Sequence, residues 1–593
     1  MLAPFSLFSK FSKKFFSSFF FFFLLSFQCN LCSKDLSYEA SIKIDKIARE
    51  IVSKMTDEEK AGQVIHVAIP GKEINKDAIK EIETIKPGGI ILFGLNMGSA
   101  NEISKLNSDL QVEARKNNLL PLFISADQEG GRVIRVKEGV TLFPGAMSIG
   151  QTGKKEYSHA VGFLTSYQLN NLGINVVFAP SLDINNNPDN PVINTRSYGS
   201  DLDTVSIMGS EYEIGARQGG ALPVIKHFPG HGDTNVDSHL GLPVIQKSLE
   251  EISEFELIPF QKSIQGGAKA VMSAHIVFPK IDPDFPATLS PKILRNILRE
   301  KFQFSGIVFT DAMEMHAISK NYKDVKRGNI AILAGADIIL MTSHGETTLE
   351  YYNMVLDGIK NNEFKQGEIN LLDEAVVRQV KLKIEMGLFS GLDPVYNIQD
   401  ELVLKYIYEN KKAREEKFKK YELDGIEELN KKISLESIRS YKEKFIPIKE
   451  ENLQDYYFLI RNKRLAKFLN QKKVRFLSKK SLKKISRKSK GLKLVFDSNE
   501  QNDINKIARL LKKANVSECI ILHYGSPFLN FKAIPNKKVL FSFSPTPMSL
   551  SALVEKSIGG KEDILPANLI FKDEALMKDI KYDVIKLKEN KKS

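Results

Sequence analysis

The chain has 593 residues, of which 42% are apolar and 26% charged, and its formal net charge is +13. That length is too great for one hydrophobic core, so two or more domains are expected, and the composition is typical of a globular protein. The positive charge would suit a nucleic-acid partner, but no recognisable nucleic-acid motif accompanies it, so none is expected. The dense basic run at residues 479–493 is interpreted as a solvated face, with contact to an anionic surface as the alternative.

The N-terminus has the pattern of an export signal. Three lysines between residues 10 and 14 precede the almost wholly apolar run 15–27. Such a run is short for a membrane span and typical of a signal peptide, and Cys29 after it predicts a lipoprotein that is modified at this cysteine. Gln28 departs from the small residue preferred before such a cysteine, and an uncleaved hydrophobic anchor is the alternative. We therefore expect a signal in residues 1–32, an exported protein that is periplasmic or membrane-anchored, and no disulfide framework.

Residues 33–395 show the rhythm of an α/β barrel, because short runs rich in Val, Ile and Ala alternate with helix-compatible segments. The runs are Val64–Ile69, Gly89–Gly94, Leu122–Asp127, Ile174–Ala179, Ala221–His227, Ala268–His275, Gly306–Asp311 and Ala336–Met341. This alternation predicts a TIM (β/α)8 barrel, and the continuous apolar character suits strands buried on both faces. A doubly wound open sheet is the alternative. It would need a glycine-rich nucleotide turn after the first strand, and residues 70–72 do not form one.

Polar residues follow the third run, at the end of the barrel where the chemistry of TIM-barrel enzymes takes place. The run ends at Asp127, and a glycine pair and then Arg135 come after it. A carboxylate in that position suits hydrogen bonds to sugar hydroxyls. For Glu129 and Arg132 there are two interpretations, which are such a role or a local ion pair between them.

The fifth run leads into a loop rich in histidine, since Lys226–Pro243 has the sequence KHFPGHGDTNVDSHLGLP. Its glycines and prolines exclude a regular helix. Asp237 and His239 are separated by one residue, so the carboxylate can hold the imidazole and raise its basicity for proton transfer. A solvated loop and a metal site are the alternatives, but neither HExxH nor a clean ligand set is present, so no metal is expected. His231 is assigned to loop packing.

Other strand-end residues have competing interpretations. Asp183 is expected to organise loops, and Arg196 could clamp its own loop to a carboxylate. His275 either lines the pocket or caps the barrel, and capping is preferred. Asp311, at the end of the seventh run, is a rigidly aimed carboxylate that suits a nucleophile, although such residues often cap the next helix. Glu314 competes for that role, but its position past the strand favours a supporting one.

The loop sequence KHFPGHGDTNVDSH resembles the signature of family 3 glycoside hydrolases, in their β-N-acetylglucosaminidase branch. DQEGGRV at 127–133, PATLS at 286–290 and TDAMEM at 310–315 also match family segments, and the resemblance covers about residues 42–389. It implies that Asp311 is the nucleophile and that His239 with Asp237 is the acid/base pair. The sugar-binding roles that it implies fall on Asp127, Arg135, Arg196, Lys226 and His227.

The activity implied by the resemblance is retaining hydrolysis of terminal β-linked N-acetylglucosamine, including that of cell-wall muropeptides, without a metal or organic cofactor. A β-glucosidase or a glycosyl phosphorylase of the same family is the enzymatic alternative, since a neutral imidazole would not repel phosphate. A catalytically silent surface sugar-binding protein is the alternative from another class. Such a binding module would not need the strand-end Asp311.

Beyond the barrel the resemblance becomes weaker. Residues 396–450 are charge-rich with a helical pattern and are predicted to be a helical linker. Residues 451–593 are predicted to form a smaller α/β sandwich-like C-terminal domain in which no catalytic group is expected. Its strand-like runs are Tyr457–Arg461, Leu492–Phe496, Cys519–His523 and Val539–Phe543.

Overall fold

The computed structural model describes residues 37–323, 325–389, 398–478, 481–482, 491–512, 514–560 and 562–569. The predicted export signal, Cys29 and residues 479–480 and 483–490 of the basic run lie outside these residues. Within the described part of the chain, no helix combines the length and the apolar content needed to cross a membrane.

The first domain is a parallel β-barrel. Its strands are β1 (Ile65–Ala68), β2 (Gly89–Leu92), β3 (Phe123–Ala126), β6 (Val176–Val177), β7 (Leu222–Pro223), β8 (Ile225–Phe228), β9 (Ala270–Ser273), β10 (Ile307–Phe309) and β11 (Ile339–Leu340), and a hairpin of β4 (Gln128–Gly130) and β5 (Val133–Ile134) follows β3. One parallel sheet has the order β11-β1-β2-β3-β6-β7, and a second has the order β10-β9-β8. Only Val224 separates β7 from β8, and a parallel bridge from Phe309 to Ile338 joins the other edges. The ring is therefore closed, which confirms the predicted TIM barrel and excludes the open sheet.

Successive residues of the barrel strands enter two different apolar cores, as the pleat of a strand requires. Ile90 packs between the sheet and the surrounding helices, whereas Ile91 packs inside the barrel. In β3, Ile124 likewise packs against the surrounding helices, whereas Phe123 packs inside the barrel. Burial on both faces explains why these runs are continuously apolar in the sequence.

Helices surround the barrel and connect its strands. After helical residues 37–54, they are Asp57–Gln63, Lys76–Ile85, Ala100–Lys116, Ala146–Gly150, Lys155–Asn171, Leu202–Gly219, Leu249–Ser253, Ile258–Gln265, Lys292–Lys301, His316–Ser319, Arg327–Ala334, Glu346–Lys360 and Leu371–Glu385, with short 3-10 turns at Gly94–Asn96, Asn194–Arg196 and Ala287–Leu289. A small hairpin of β12 (Lys365–Gln366) and β13 (Ile369–Asn370) precedes the last of them. Local sequence fixes several helix starts, as where Ser99 and Glu102 form a reciprocal capping box.

The predicted linker region is helical and packs on the barrel. Helices Glu401–Asp424 and Ile426–Glu436 form most of it. The ring of Phe418 stacks on that of Tyr167 with centroids 4.0 Å apart, and the Tyr167 hydroxyl donates to Glu415 at 2.8 Å. Aromatic stacking and this hydrogen bond tie the longer helix to the outer face of the barrel.

The C-terminal domain contains one sheet between apolar layers. Its strands are β14 (Arg439–Ser440), β15 (Tyr456–Leu459), β16 (Arg475–Phe476), β17 (Leu492–Ser498), β18 (Val516–His523) and β19 (Lys537–Phe541), in the order β14-β19-β18-β17-β15-β16, with β14 antiparallel to its neighbour. Helices Lys463–Asn470, Gln501–Leu511 and Pro547–Ser557 and the 3-10 turn Glu450–Asp455 accompany them. Separate apolar clusters contain Leu494 and Val495, which are adjacent in β17. This arrangement confirms the predicted α/β sandwich; the exact domain boundaries stay predictions.

The two domains share an interface next to the β4–β5 hairpin. Met147 of the barrel domain is buried in an apolar cluster of the C-terminal domain. Beside it, the Ser148 hydroxyl donates to the Ser542 carbonyl at 2.8 Å. A Cβ placed on Gly131 would lie 2.8 Å from the Gly145 Cα and 3.8 Å from the Ser544 hydroxyl oxygen. The C-terminal domain therefore supports the loops that border the carboxyl end of the barrel.

Candidate active site

The eight predicted site residues line one cavity of about 530 Å³ at the carboxyl ends of the barrel strands. They are Asp127, Arg135, Arg196, Lys226, His227, Asp237, His239 and Asp311. The strand ends bring them together. β3 ends just before Asp127, β8 contains Lys226 and His227, and β10 ends two residues before Asp311. Phe178, Met272 and Leu340 add an apolar wall that the sequence analysis did not assign, although each lies in or beside a predicted strand run.

A buried charge network forms one side of the cavity. Arg196 holds Glu129 with two parallel hydrogen bonds, from Nε at 2.9 Å and from Nη2 at 2.8 Å. The Lys226 ammonium lies 2.7 Å from the same carboxylate and 3.0 Å from Asp127, whose other oxygen accepts from Arg135 at 3.1 Å. Burial acts to raise the pKa of Glu129, but Arg196 and Lys226 outweigh it, so the pKa lies well below its ordinary value. The ion pairs within the network thus hold its side chains in place.

This network decides two interpretations that the sequence left open. Glu129 does pair with an arginine, but the partner is Arg196, which is distant in sequence, and the local pairing with Arg132 is wrong. Arg132 instead donates to the main-chain carbonyls of Val192 and Ile193. Arg196 clamps its loop to a carboxylate and at the same time lines the cavity.

His227 is held between a carboxylate and a guanidinium. Its Nδ1 lies 2.7 Å from Asp183, and its Nε2 lies 3.3 Å from Nη2 of Arg196. Because arginine only donates, Nε2 acts as acceptor and Nδ1 donates to Asp183, which defines the tautomer. Burial acts to raise the pKa of Asp183, but the His227 ring and its hydrogen bond outweigh it and hold the pKa at about 2. Asp183 therefore organises loops, as predicted.

The Asp237–His239 pair has the predicted geometry. Nδ1 of His239 lies 2.8 Å from Asp237, and the His239 amide donates to the same oxygen at 2.9 Å. Burial acts to raise the pKa of Asp237, but these two hydrogen bonds outweigh it and lower the pKa. The His239 side chain is 63% exposed, so the pair lies at the open edge of the cavity. With Nδ1 engaged, Nε2 is the ring nitrogen available for proton transfer.

His231 does more than pack the loop. The residue is buried, its main-chain N–H donates to Asp183 at 2.7 Å, and its Nε2 lies 3.1 Å from the hydroxyl oxygen of Ser238. Ser238 separates the two members of the Asp237–His239 pair. Burial lowers the pKa of His231 to about 4, so the ring is neutral at neutral pH. The sequence analysis missed Ser238, because a hydroxyl between two catalytic candidates gives no periodic or compositional signal.

Asp311 lies at the end of β10 and faces the cavity. One of its oxygens accepts from the Ala312 amide at 2.8 Å. Burial acts to raise its pKa, but the nearby His275 and His227 rings and this hydrogen bond outweigh burial, so the pKa is lowered. The carboxylate is therefore ionised at neutral pH, as a nucleophile must be.

The competing residues take supporting positions. Glu314 accepts from the Thr342 amide at 2.8 Å and from the Ser343 hydroxyl at 2.6 Å, so it holds the loop after β11. His275 is buried, with Nδ1 2.9 Å from the Thr288 hydroxyl and Nε2 3.0 Å from the Ala312 carbonyl, which fixes the peptide next to Asp311. Within the described residues, no group of His, Cys, Asp and Glu side chains is arranged to hold a metal ion.

The chain is similar in sequence to proteins named β-hexosaminidases. The chain is 37% identical over 322 residues to the β-hexosaminidase A of Pseudoalteromonas piscicida, a match that covers 50% of this chain and 53% of that relative. It is 36% identical over 262 residues to the β-hexosaminidase of Hydrogenovibrio crunogenus, covering 43% and 71% respectively. The chain thus spans about half the length of the Pseudoalteromonas relative and 71% of the length of the Hydrogenovibrio relative.

Similarity to solved structures extends into the C-terminal domain. A family 3 β-N-acetylglucosaminidase from Paenibacillus sp. str. FPU-7 superimposes with a TM-score of 0.74 at 30% identity, covering 87% of this chain and 99% of that one. The family model described as the glycosyl hydrolase family 3 N-terminal domain matches residues 56–381, which is more than half of the chain. The resemblance drawn from the sequence is therefore confirmed, and the chain belongs to glycosyl hydrolase family 3.

Proposed function

We propose that this protein is a retaining β-N-acetylhexosaminidase that releases terminal β-linked N-acetylglucosamine. The single observation that supports this most is the presence of an ionised strand-end carboxylate, Asp311, and a carboxylate-held imidazole, His239, in one cavity. Glycosidases require two such groups at the scissile bond. The names of the similar proteins, β-hexosaminidases and a β-N-acetylglucosaminidase, support the choice of sugar.

In the proposed first step, an Asp311 oxygen attacks the anomeric carbon while the glycosidic C–O bond breaks. The His239 imidazolium gives its Nε2 proton to the departing oxygen, and Asp237 stabilises the positive ring before that transfer. In the second step the neutral imidazole takes a proton from water as the water oxygen attacks the same carbon. Asp311 is then released as carboxylate, and the sugar keeps its original anomeric configuration.

The rest of the cavity would position the sugar. Lys226 and Arg135 are anchored on Asp127, and His227 is anchored on Asp183, so the protein itself holds these polar side chains in place. Side chains held in this way reduce the ordering that binding would otherwise require. We further propose that the substrates include cell-wall muropeptides and that the protein is exported, periplasmic or membrane-anchored; the basic and apolar pattern of residues 10–27 supports export.

The decisive experiment compares turnover of a nitrophenyl N-acetylglucosaminide with that of the matching glucoside, each with and without inorganic phosphate. We expect faster turnover of the N-acetylglucosaminide, release of the free sugar, and no requirement for phosphate. A sugar phosphate as product would indicate the phosphorylase, preference for the glucoside would indicate a β-glucosidase, and binding without turnover would indicate the non-catalytic alternative.

The nucleophile is tested by trapping. An activated 2-fluoro sugar should leave a covalent adduct on Asp311, located by mass spectrometry of peptides. Asp311→Ala should abolish hydrolysis and leave the circular dichroism spectrum unchanged. An adduct on Glu314 would overturn the assignment, and Glu314→Gln is the matched control, since that side chain hydrogen-bonds a neighbouring loop instead of facing the cavity.

A further inference from the structure

The loop that holds the acid/base pair, residues 233–242 (the dyad loop), has few attachments to the barrel near its centre. Leu240 is exposed, and the Leu240 and Gly241 amides turn back to the Asp237 carbonyl. The Thr234 hydroxyl bonds within the loop, to Val236. These contacts give the loop its internal shape but do not fix its distance from the nucleophile.

Ser238 attaches the centre of this loop to its surroundings. Its side chain is buried, whereas the imidazole of the next residue, His239, is largely exposed. The Ser238 hydroxyl contacts His231 at 3.1 Å, and the Ser238 carbonyl accepts from the Ala317 amide at 3.4 Å. Ala317 lies in the helix His316–Ser319, which follows β10 and Asp311 along the chain. The centre of the dyad loop is thereby attached to the cavity wall and to the segment that follows the nucleophile.

His231 is itself rigidly placed. Its main-chain N–H donates to Asp183, which also accepts from the ring and the amide of His227. The rings of His231 and His227 meet edge to face, with centroids 5.8 Å apart. Nδ1 of His231 has no hydrogen-bond partner within the described residues, so Nε2 makes the ring's side-chain hydrogen bond. Breaking the contact with Ser238 would leave Nε2 of a buried ring without that partner, and a buried polar group without a partner is costly, so the contact is favoured.

We propose that His231 is a positioning residue for catalysis, and that its hydrogen bond to Ser238 sets the distance and orientation of the His239 imidazole relative to Asp311. This inference rests on the proposed glycosidase function. The same carboxylate, Asp183, then fixes both the sugar-contacting His227 and, through His231, the acid/base loop. An error of about 1 Å in placing a catalytic group can reduce rate about 100-fold.

The test uses the full chain and two substrates with the same sugar. One is an N-acetylglucosamine disaccharide, whose leaving alcohol needs a proton, and the other is a nitrophenyl glycoside, whose leaving group does not. We expect His231→Leu and Ser238→Ala to lower kcat/KM on the disaccharide by about 10- to 100-fold and much less on the nitrophenyl substrate. His231→Gln should recover most of the loss, because its amide can occupy the place of Nε2. Thr234→Val, which removes a hydroxyl bonded only inside the loop, should show no such substrate dependence.

A double-mutant cycle separates positioning from general structural damage. In a His239→Ala background, Ser238→Ala should cause almost no further loss on the disaccharide, because the group that it positions is already absent. Equal losses on both substrates, or losses that multiply in the double variant, would overturn the proposal. If His231→Leu does not fold, Ser238→Ala alone gives the same comparison. An inactive wild-type protein would instead refute the proposed function.

Discussion

The Arg196–Glu129 pair offers a quantitative test of the charge network. Arg196→Ala removes two hydrogen bonds of 2.9 and 2.8 Å from a carboxylate that is only 5% exposed, while the arginine side chain is itself 13% exposed. Removing one partner of a buried ion pair costs about 3 to 5 kcal/mol, because the other charge stays buried without compensation. Lys226 remains 2.7 Å from Glu129 and compensates in part, so we expect a loss near 3 kcal/mol of unfolding free energy.

The assay is urea unfolding at neutral pH, followed by circular dichroism because the chain contains no tryptophan. Arg196→Lys, which keeps the charge but not the two-pronged geometry, should fall between Arg196→Ala and the wild type. Adding Glu129→Gln to Arg196→Ala should restore part of the loss, since the unpaired carboxylate is then absent.

Catalysis should fall together with stability in Arg196→Ala. The loop that contains Arg196 lines the cavity, and the guanidinium also contacts His227, so both substrate binding and the chemical step should weaken. An unfolding free energy within about 0.5 kcal/mol of the wild type would refute the structural argument, because that is the range of ordinary surface substitutions. A raised KM without any change in stability would assign Arg196 to sugar contact alone.

Three other outcomes are expected. His239→Ala should reduce kcat/KM by about 10²- to 10⁴-fold on disaccharides but much less on nitrophenyl glycosides, and Asp237→Ala should follow the same trend; equal losses on both would contradict the acid/base role. Burial lowers the pKa of His231 and of His523 to about 4, whereas a solvated ring has a pKa of 6.5. As pH decreases, these two rings therefore bind protons in the unfolded chain before they do so in the folded protein. The free energy of unfolding should accordingly fall between pH 6.5 and pH 4. Each ring should contribute a loss of about 2 kcal/mol between pH 8 and pH 5, measured by urea unfolding, and a protein as stable at pH 5 as at pH 8 would contradict this. Lys383 is fully buried, and burial lowers its pKa well below the ordinary value. Lys383→Met should therefore be no less stable than the wild type at neutral pH. A loss above about 1 kcal/mol in the free energy of unfolding would show instead that the buried lysine head group stabilises the fold.

The sequence predicted the barrel and the residues of its cavity because both depend on local patterns. A strand buried on both faces is continuously apolar, and its last polar residue reaches the open end, so Asp127, Lys226 and Asp311 could be placed by counting runs. The partner of Glu129 could not be predicted in this way. Arg196 is 67 residues away along the chain, and the two meet only after β3 and β6 have come together in the closed barrel.

The role of Ser238 was hidden for a different reason. Its contact with His231 lies within one loop, but loops without a repeating pattern give no indication of which side chains turn inward. The helical linker could be recognised from its charge pattern, yet that pattern did not indicate that the helix would pack along the barrel. Aromatic residues such as Phe418 show their contact with Tyr167 only in three dimensions.

Met147 has a consequence for how the protein should respond to heat. The residue belongs to the barrel domain but is buried in an apolar cluster of the C-terminal domain. It lies close to the loop in which Gly130 and Gly131 adopt positive φ values of 85° and 58°. That backbone conformation is available to glycine, and it closes the hairpin whose two open ends are flanked by Asp127 and Arg135. Melting of the smaller domain would expose Met147 and release the turn while the barrel remains closed. If the smaller domain is the first to melt, warming should inactivate the protein while its barrel is still folded.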